Sequence, residues 1–262
     1  MTVKILLHGC NGRMGRVITR LVEESQVPEM QVVCGVDMNP GKLDNTYPVF
    51  PSLKEVPADI RPDVVIDFSH PSSVVNLLDF GLSKHVPLVI GTSGIAPEQR
   101  QKISDAAQKI PVLMSANMSL GISLVLSLVA QAAQVLGKSF DIEIVEKHHS
   151  QKIDAPSGTA VMIADAINAA LGNSMDYVYG RRGDDESLKR KPNQIGIHAV
   201  RGGTIVGEHD AIFAGPGEVV EIRHAALSRD IFGYGALEAA RFLPGKPPEL
   251  YSMKDVIESK AV

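Results

Sequence analysis

The chain of 262 residues is long enough for one or two domains with a substantial buried core. Its 44% hydrophobic and 21% charged residues are typical of a globular protein, and its formal net charge of −4 argues against nucleic acid or an anionic membrane as main partner. No apolar run approaches the roughly 20 residues that span a bilayer. Two cysteines are too few for a disulfide framework. We therefore expect a cytoplasmic protein in a reducing environment.

The first third of the chain alternates short apolar segments with amphipathic ones. Helical spacing is seen after the first glycine turn and in the stretches SVVNLLDFGLSKH and PEQRQKISDAAQKI. Strands that alternate with helices predict a parallel sheet covered on both faces, that is, a Rossmann-type α/β domain. The predicted strands are VKILLHG, MQVVCGVD, PDVVIDFS, VPLVIGTSG and IPVLMSAN.

The pattern changes near residue 118. A long apolar helix leads to the alternating strand DIEIVEKHH, a second helix opens near Gly158, and the polar stretch GRRGDDESLKRKPN is predicted to be a mobile loop. Three further strands, IGIHAVRGG, TIVGEHDAIFAG and EVVEIRHAALS, follow without intervening helices. We expect residues 1–118 plus 230–262 to form the nucleotide domain, and residues 119–229 to form a smaller α+β domain with a mostly antiparallel or mixed sheet.

A glycine-rich turn follows the first predicted strand. In GCNGRMG, Gly9, Gly12 and Gly15 stand where a helix opens, and glycine there allows a tight turn and close approach of a pyrophosphate. Asp37 ends the second strand, where an acid can bind an adenosine ribose. The alternative is a purely structural turn between strand and helix. GTSG (91–94) and SANMSLG (115–121) also follow strands and are candidates for the nicotinamide end of the pocket.

The choice of cofactor follows from the charges near this turn. A carboxylate at Asp37 would repel the 2′-phosphate of NADPH, and Met38 offers no positive charge to offset it. NADH is therefore expected to be preferred. Arg13 and Arg16 lie close enough in sequence to soften this preference, so use of NADPH is also expected.

The stretch EKHHSQKIDAPSGTA (146–160) allows three interpretations. Adjacent residues of a strand point to opposite faces, which argues against His148 and His149 chelating one metal. A solvated basic loop is the second interpretation. The third is an anion site, because APSGTA leads into an apolar helical pattern whose positive N-terminus binds carboxylates, with Lys152 and a histidine adding charge and protons. Combined with a nicotinamide site, it predicts reduction of a small carboxylated substrate.

These motifs resemble those of the 4-hydroxy-tetrahydrodipicolinate reductase (dihydrodipicolinate reductase) family of the diaminopimelate and lysine pathway. The resemblance extends over the whole chain, through IDFSHP, GTSG, ANMSLG, RGGTIVGEH, LSRDIFGYGAL and MKDV. It implies an NAD(P)H-dependent reduction of 4-hydroxy-tetrahydrodipicolinate to tetrahydrodipicolinate. It also implies a homotetramer joined through the sheet of the second domain.

The resemblance also implies roles for individual residues. His148 is the proton donor or acceptor and Lys152 the second proton donor, while His149, Gly158 and Thr159 hold the dicarboxylate ring. Arg229 is a looser match to a residue that closes on the substrate. No metal is implied. The family usually has an arginine shortly after the acid of the second strand, and Met38 departs from this pattern. The cofactor residues implied are Gly9, Cys10, Asn11, Gly12, Arg13, Met14, Asp37, Gly91, Thr92, Ser93, Ser115, Ala116, Asn117 and Met118.

Two rival functions remain at this point. One is an amino-acid or semialdehyde dehydrogenase of the same nucleotide fold, which leaves the Asp-Ala-Pro-Ser-Gly-Thr run unexplained. The other is a nicotinamide-binding sensor, which has no chemical need for both His148 and Lys152. His198, His209 and His224 are interpreted as packed or exposed histidines of the second domain, His8 as a strand-end residue, and Cys10 and Cys34 as core or loop thiols without a redox role.

Overall fold

A computed structural model describes residues 2–186 and 189–260 of the chain. The chain divides into two compact units. The first contains the chain up to Leu120 together with the chain from Asp230 onward, and the second is Gly121–Arg229. Among the described residues, no helix has both the length and the apolar character needed to cross a membrane.

The first unit is built on a seven-stranded sheet in which every pairing between neighbours is parallel. Its strands are β1 (Val3–His8), β2 (Met30–Val36), β3 (Val49–Phe50), β4 (Val64–Asp67), β5 (Leu88–Ile90), β6 (Val112–Met114) and β12 (Leu250–Tyr251). Their order in space is β12-β6-β5-β4-β1-β2-β3. The chain reverses direction across the sheet at β1, so the edge beyond the carboxyl ends of β1 and β4 is the place where ligands of such sheets bind.

Helices cover both faces of this sheet, which explains why its central strands read as continuous apolar runs. The two cores that result share no residue. Helix α3 begins with Pro97 at its first position, which suits the missing N–H of proline. One core includes α1 (Arg13–Glu23), α6 (Asp230–Phe242) and α7 (Met253–Glu258), and the other includes α2 (Val74–Lys84) and α3 (Pro97–Ala107).

The second unit is a five-stranded mixed sheet with two helices against one face. Strand β10 is antiparallel to β11 and β7, whereas β9 is parallel to β7 and β8. Apolar side chains of the helices and of three strands form one core. The elements are α4 (Leu120–Leu136), β7 (Asp141–His148), α5 (Gly158–Ala170), β8 (Asp176–Tyr179), β9 (Gln194–Arg201), β10 (Gly207–Gly215) and β11 (Glu218–Ala226), and the strand order is β11-β10-β7-β9-β8.

The expected fold class is confirmed: a Rossmann-type parallel sheet and a smaller domain with a mixed sheet. Strands β3, β8 and β12 were not predicted, because two to four residues are too few to show a periodicity. Residues 187 and 188 of the polar stretch expected to be a mobile loop lie outside the described residues.

Candidate active site

In the glycine turn after β1, a side chain would clash at Gly9 and Gly15 and would be tightly packed at Gly12. Gly9 has a φ of 79°, and a Cβ there would lie 2.5 Å from the carbonyl oxygen of Phe68. A Cβ at Gly12 would lie 3.1 Å from the Gly9 carbonyl oxygen, and one at Gly15 only 2.4 Å from that of Cys10. The first turn of α1 is thus packed directly on the loop, an arrangement that brings backbone amides close to a phosphate at the helix N-terminus.

Asp37 follows β2 directly and is tied to this turn. Its Oδ2 accepts a hydrogen bond from the backbone N–H of Asn11 (3.1 Å), and its Oδ1 accepts one from the N–H of Asn39 (3.0 Å). The Asn11 amide also donates to the Asn39 carbonyl oxygen at 2.7 Å. The carboxylate is therefore held in place by the loop that would bind a pyrophosphate, and Met38 beside it is 86% exposed.

A cleft of about 650 Å³ opens between this turn and the end of β4. Its lining includes Gly9, Gly12, Asp37, Met38 and Phe68. The combination of a glycine cradle, a fixed carboxylate and apolar walls fits the adenosine end of a nicotinamide cofactor. These residues can therefore hold the cofactor that the sequence motif predicts.

The other predicted cofactor residues follow neighbouring strands of the same sheet, but not all of their side chains face outward. Thr92 is buried, accepts a hydrogen bond from the Ser69 N–H (2.9 Å) and donates to Asp67 (2.7 Å). The side chains of Cys10 and Met118 are also buried, so only their backbones are suited to contact a ligand. Burial raises the pKa of the Cys10 thiol to about 11, which keeps it protonated at neutral pH.

A buried carboxylate at the end of β4 was not recognised from the sequence. Asp67 is 1% exposed and lies 2.9 Å from His8 Nδ1, and Ser69 donates to its Oδ1. These contacts join the ends of β1, β4 and β5. The signal in the sequence was the stretch IDFSHP, which the resemblance used but to which no role was given.

In the second unit, the alternation of β7 puts Glu146 and His148 on the buried side of the strand. Glu146 is fully buried, and its Oε2 lies 2.7 Å from His148 Nδ1. The backbone N–H of Ser157 donates to Oε1 at 2.9 Å. Burial opposes ionisation of this carboxyl, but hydrogen bonds from Arg201, His148 and Ser157 overcome it and lower the pKa of Glu146.

Arg201, at the end of β9, neutralises Glu146 with a two-pronged contact. Nη1 donates to Oε2 at 2.8 Å, and Nη2 donates to Oε1 at 2.7 Å. Nη2 also donates to the carbonyl oxygen of Asp154 at 2.6 Å. Neither Glu146 nor Arg201 was among the predicted site residues.

Helix α5 begins at Gly158 and presents its N-terminus beside His148. Ser157 is the N-cap residue, whose Oγ accepts from the Ala160 N–H at 3.1 Å. The same Oγ lies 2.9 Å from Nε2 of His209. His209 is buried, and burial, with the charge of His148 as second cause, lowers its pKa to about 4.

The remaining predicted substrate residues lie around this helix end. His149 follows β7 and is half-buried, and Gly158 is exposed with open space where a Cβ would stand. Thr159 is half-buried in the first turn of α5. Lys152 Nζ donates to Asp154 at 2.8 Å, and this contact lowers the pKa of Asp154. Within the described part of the chain, no group of three or more His, Cys, Asp or Glu is arranged to hold a metal.

Comparison with known proteins assigns both parts of the chain. Residues 3–118 match the family model "Dihydrodipicolinate reductase, N-terminus", and residues 121–257 match "Dihydrodipicolinate reductase, C-terminus". The chain is 54% identical to the 4-hydroxy-tetrahydrodipicolinate reductase of Caldanaerobacter subterraneus subsp. tengcongensis, over 98% of this chain and 99% of the relative. It is 45% identical to that of Clostridium tetani, over 99% and 98%.

A solved structure shares the fold over nearly the whole chain. It is the dipicolinate-bound dihydrodipicolinate reductase from Paenisporosarcina sp. TG-14, with a TM-score of 0.81 and 27% identity, covering 97% of this chain and 99% of the other. The resemblance noted in the sequence is therefore confirmed. The chain belongs to the dihydrodipicolinate reductase family, nicotinamide-dependent oxidoreductases of lysine and diaminopimelate biosynthesis.

Proposed function

We propose that this chain reduces 4-hydroxy-tetrahydrodipicolinate to tetrahydrodipicolinate with His148 and Lys152 handling the protons. Residues 1–118 and 230–262 bind the cofactor in this proposal, and residues 119–229 bind the substrate. The observation that carries it is the hydrogen bond between Glu146 and Nδ1 of His148, beside the N-terminus of α5. It supports the proposal because an imidazole can exchange a proton near neutral pH, and the N-terminus of a helix favours anions.

The substrate is a ring with two carboxylates, and the histidine segment supplies groups for both. Gly158 and Thr159 open α5, where the helix dipole and first-turn amides favour negative charge. Lys152 and His149 follow β7 and add positive charge and hydrogen-bond donors. Dipicolinate, which the Paenisporosarcina relative binds, carries the same pair of carboxylates.

The two protons of the reaction are assigned to His148 and Lys152, each of which is held by a hydrogen bond to a carboxylate. The bound reduced nicotinamide supplies the hydride. His148, with Nδ1 donating to Glu146, exchanges a proton through Nε2, and Lys152 supplies the second proton from its ammonium group. Loss of the 4-hydroxyl together with a proton from a neighbouring ring carbon releases water and leaves an unsaturated ring, and addition of one hydride and one proton to that ring gives tetrahydrodipicolinate. Burial of His148 limits access of water to the transferred proton.

We further propose that NADH is preferred and NADPH is also used. Asp37 is held by the N–H groups of Asn11 and Asn39, so it cannot swing away to admit a 2′-phosphate without breaking both bonds. Met38 provides no compensating cation. Arg13 and Arg16 are exposed on the first turns of α1 and reduce the repulsion.

The assembly proposed is a cytoplasmic homotetramer joined through the sheet of the second unit. The face of this sheet opposite α4 and α5 carries Val145, Val200, Ile212 and Val219 beside ion pairs of Lys147 with Glu208 and Asp210. Val219 is 58% exposed and Val200 44% exposed in the single chain. Light scattering on the purified protein measures the assembly directly.

A coupled assay tests the reaction. The substrate is formed in situ from pyruvate and aspartate semialdehyde by the preceding synthase, and loss of NADH and of NADPH is followed separately. Oxidation that requires every component supports the proposed function, and a higher kcat/KM with NADH supports the cofactor assignment. A folded protein that oxidises neither would refute the proposed reaction.

A further inference from the structure

The two imidazole nitrogens of His148 lie in different surroundings. Nδ1 faces the buried carboxylate of Glu146 at 2.7 Å. An ionised carboxylate only accepts hydrogen bonds, so Nδ1 must carry a proton in this arrangement. Nε2 points toward Gly207, where a Cβ would lie only 2.9 Å away. Because glycine has no Cβ, no side chain of residue 207 presses against Nε2.

Glu146 is a costly residue to keep in this position. A buried carboxylate without partners would be neutral or would destabilise the fold by several kcal/mol. Arg201 meets both of its oxygens, and the Ser157 N–H meets one of them as well. The carboxylate thus stays ionised although it is fully buried. An ionised Glu146 is the condition for a proton on Nδ1.

Arg201 also connects this carboxylate to the segment that carries Lys152. Its Nη2 donates to the Asp154 carbonyl oxygen at 2.6 Å, and the Asp154 carboxylate accepts from Lys152 Nζ at 2.8 Å. The guanidinium of Arg201 therefore contacts both the carboxylate that binds His148 and the backbone of the residue that binds Lys152. The two proton-handling residues are thus linked through the side chains of Glu146, Arg201 and Asp154 and the carbonyl of Asp154.

We propose that Glu146 and Arg201 are positioning residues of the reduction: Glu146 holds His148 with its proton on Nδ1 and Nε2 directed at the substrate, and Arg201 keeps that carboxylate charged and fixes the Lys152 segment relative to it. The proposal rests on the proposed function of His148 and Lys152. The proton balance is simple. The imidazolium gives its Nε2 proton to the substrate and becomes a neutral imidazole, with Nδ1–H still bonded to Glu146.

Nitrogen NMR of the histidines tests which nitrogen of His148 carries the proton, and it needs no enzymatic turnover. The protein is labelled with ¹⁵N-histidine, and long-range ¹H–¹⁵N spectra are recorded at alkaline pH, where imidazoles are neutral. The His148 signals are assigned by their loss in His148→Gln. The wild-type protein should show the Nδ1–H tautomer, and Glu146→Gln should show a mixture or the Nε2–H form.

Kinetics of the same variants complete the test. For Glu146→Gln we expect kcat to fall by roughly 10²-fold, in the range of general acid–base effects, with dipicolinate affinity, measured by calorimetry, within about threefold of wild type. Arg201→Lys keeps the positive charge but cannot contact both oxygens of Glu146 at once. We expect this variant to fold and to have a lower kcat. Rescue of kcat by Glu146→Asp would indicate that the charge is what matters.

The matched control is Glu143→Gln. Glu143 lies on the same strand but on the opposite face, and it also has a histidine partner, His198 at 2.7 Å, and an arginine partner, Arg181 at 3.1 Å. Its loss should leave the His148 tautomer and kcat unchanged. An Nε2–H tautomer in the wild-type protein, or equal effects of Glu143→Gln and Glu146→Gln, would overturn the proposal. Because the tautomer is read without substrate, a failure of the proposed reaction is distinguished from a failure of this device.

Discussion

His209 packs edge-on against His148, with ring centroids 5.2 Å apart and ring planes at 75°. Its Nε2 lies 2.9 Å from the N-cap hydroxyl of Ser157. A neutral histidine thus joins the proposed proton donor to the start of α5. Burial holds the pKa of His209 at about 4, so it stays neutral where the enzyme works, and a second positive charge does not arise beside His148.

This contact predicts a specific pH dependence of stability. The pKa of His209 is about 4 in the folded chain against 6.5 for the unperturbed residue, so between these values the unfolded chain binds one more proton. The contribution of neutral His209 to the free energy of unfolding is fully present above pH 6.5, falls as pH is lowered and is lost near pH 4. The total loss is on the order of 3 kcal/mol. Urea unfolding between pH 7 and 4.5 of wild type and His209→Gln measures the difference, which should shrink as pH falls. The control is the exposed His70→Gln. Parallel curves for wild type and His209→Gln would contradict the prediction.

Replacing His148 by glutamine should separate chemistry from cofactor binding. The amide can still occupy the pocket but cannot donate a proton of suitable acidity, so kcat should fall by roughly 10²- to 10⁴-fold. NADH affinity, measured by fluorescence titration, should stay within about twofold, because the residues proposed to bind the cofactor belong to the first unit. Unchanged turnover would show that His148 is not the proton donor.

A methyl group at position 207 should hinder the proposed proton transfer from Nε2 of His148. The Cβ of Gly207→Ala would lie 2.9 Å from Nε2 of His148, and Glu146 prevents the ring from moving freely. Displacing the ring by a fraction of an ångström should lower kcat by up to roughly 10²-fold. Gly202→Ala is the control, since a Cβ there meets nothing within 4 Å. Equal kcat for both variants would place the transferred proton elsewhere.

The cofactor preference should reverse when the charge beside the ribose is changed. Asp37→Asn with Met38→Arg removes the carboxylate and adds the cation that a 2′-phosphate requires, so kcat/KM with NADPH should rise and that with NADH should fall by about tenfold or more. Asp44→Asn, which removes one exposed acid a few positions away in sequence, is the control for the negative charge lost at Asp37. The ratio of the two kcat/KM values, measured at one ionic strength, decides the question. An unchanged ratio would show that Asp37 does not contact the ribose.

Much of the fold could be predicted from local patterns in the sequence. Continuous apolar runs predicted the central strands of the parallel sheet, because each of those strands is buried on both faces. The period of two in DIEIVEKHH predicted β7 and put position 148 on the same face as position 146. Ser157 and Gly158 marked the start of α5. The family also followed from these motifs and is confirmed by the comparisons.

Contacts between distant strands could not be predicted in this way. Arg201 meets Glu146 across 55 positions, and His209 meets Ser157 across 52. In the sequence Arg201 and His209 are ordinary polar residues on predicted strands, and His209 was interpreted as a packed or exposed histidine without a catalytic role. Their partners depend on the order and register of β10, β7 and β9. The sequence by itself determined which residues form the longer strands, which face their side chains take and where the glycine turn and the start of α5 lie, because these properties depend on neighbours within a few residues. Only the tertiary structure decided which charges meet in the core, because that depends on strand pairing, and a buried charge is stable only where its partner is brought to it.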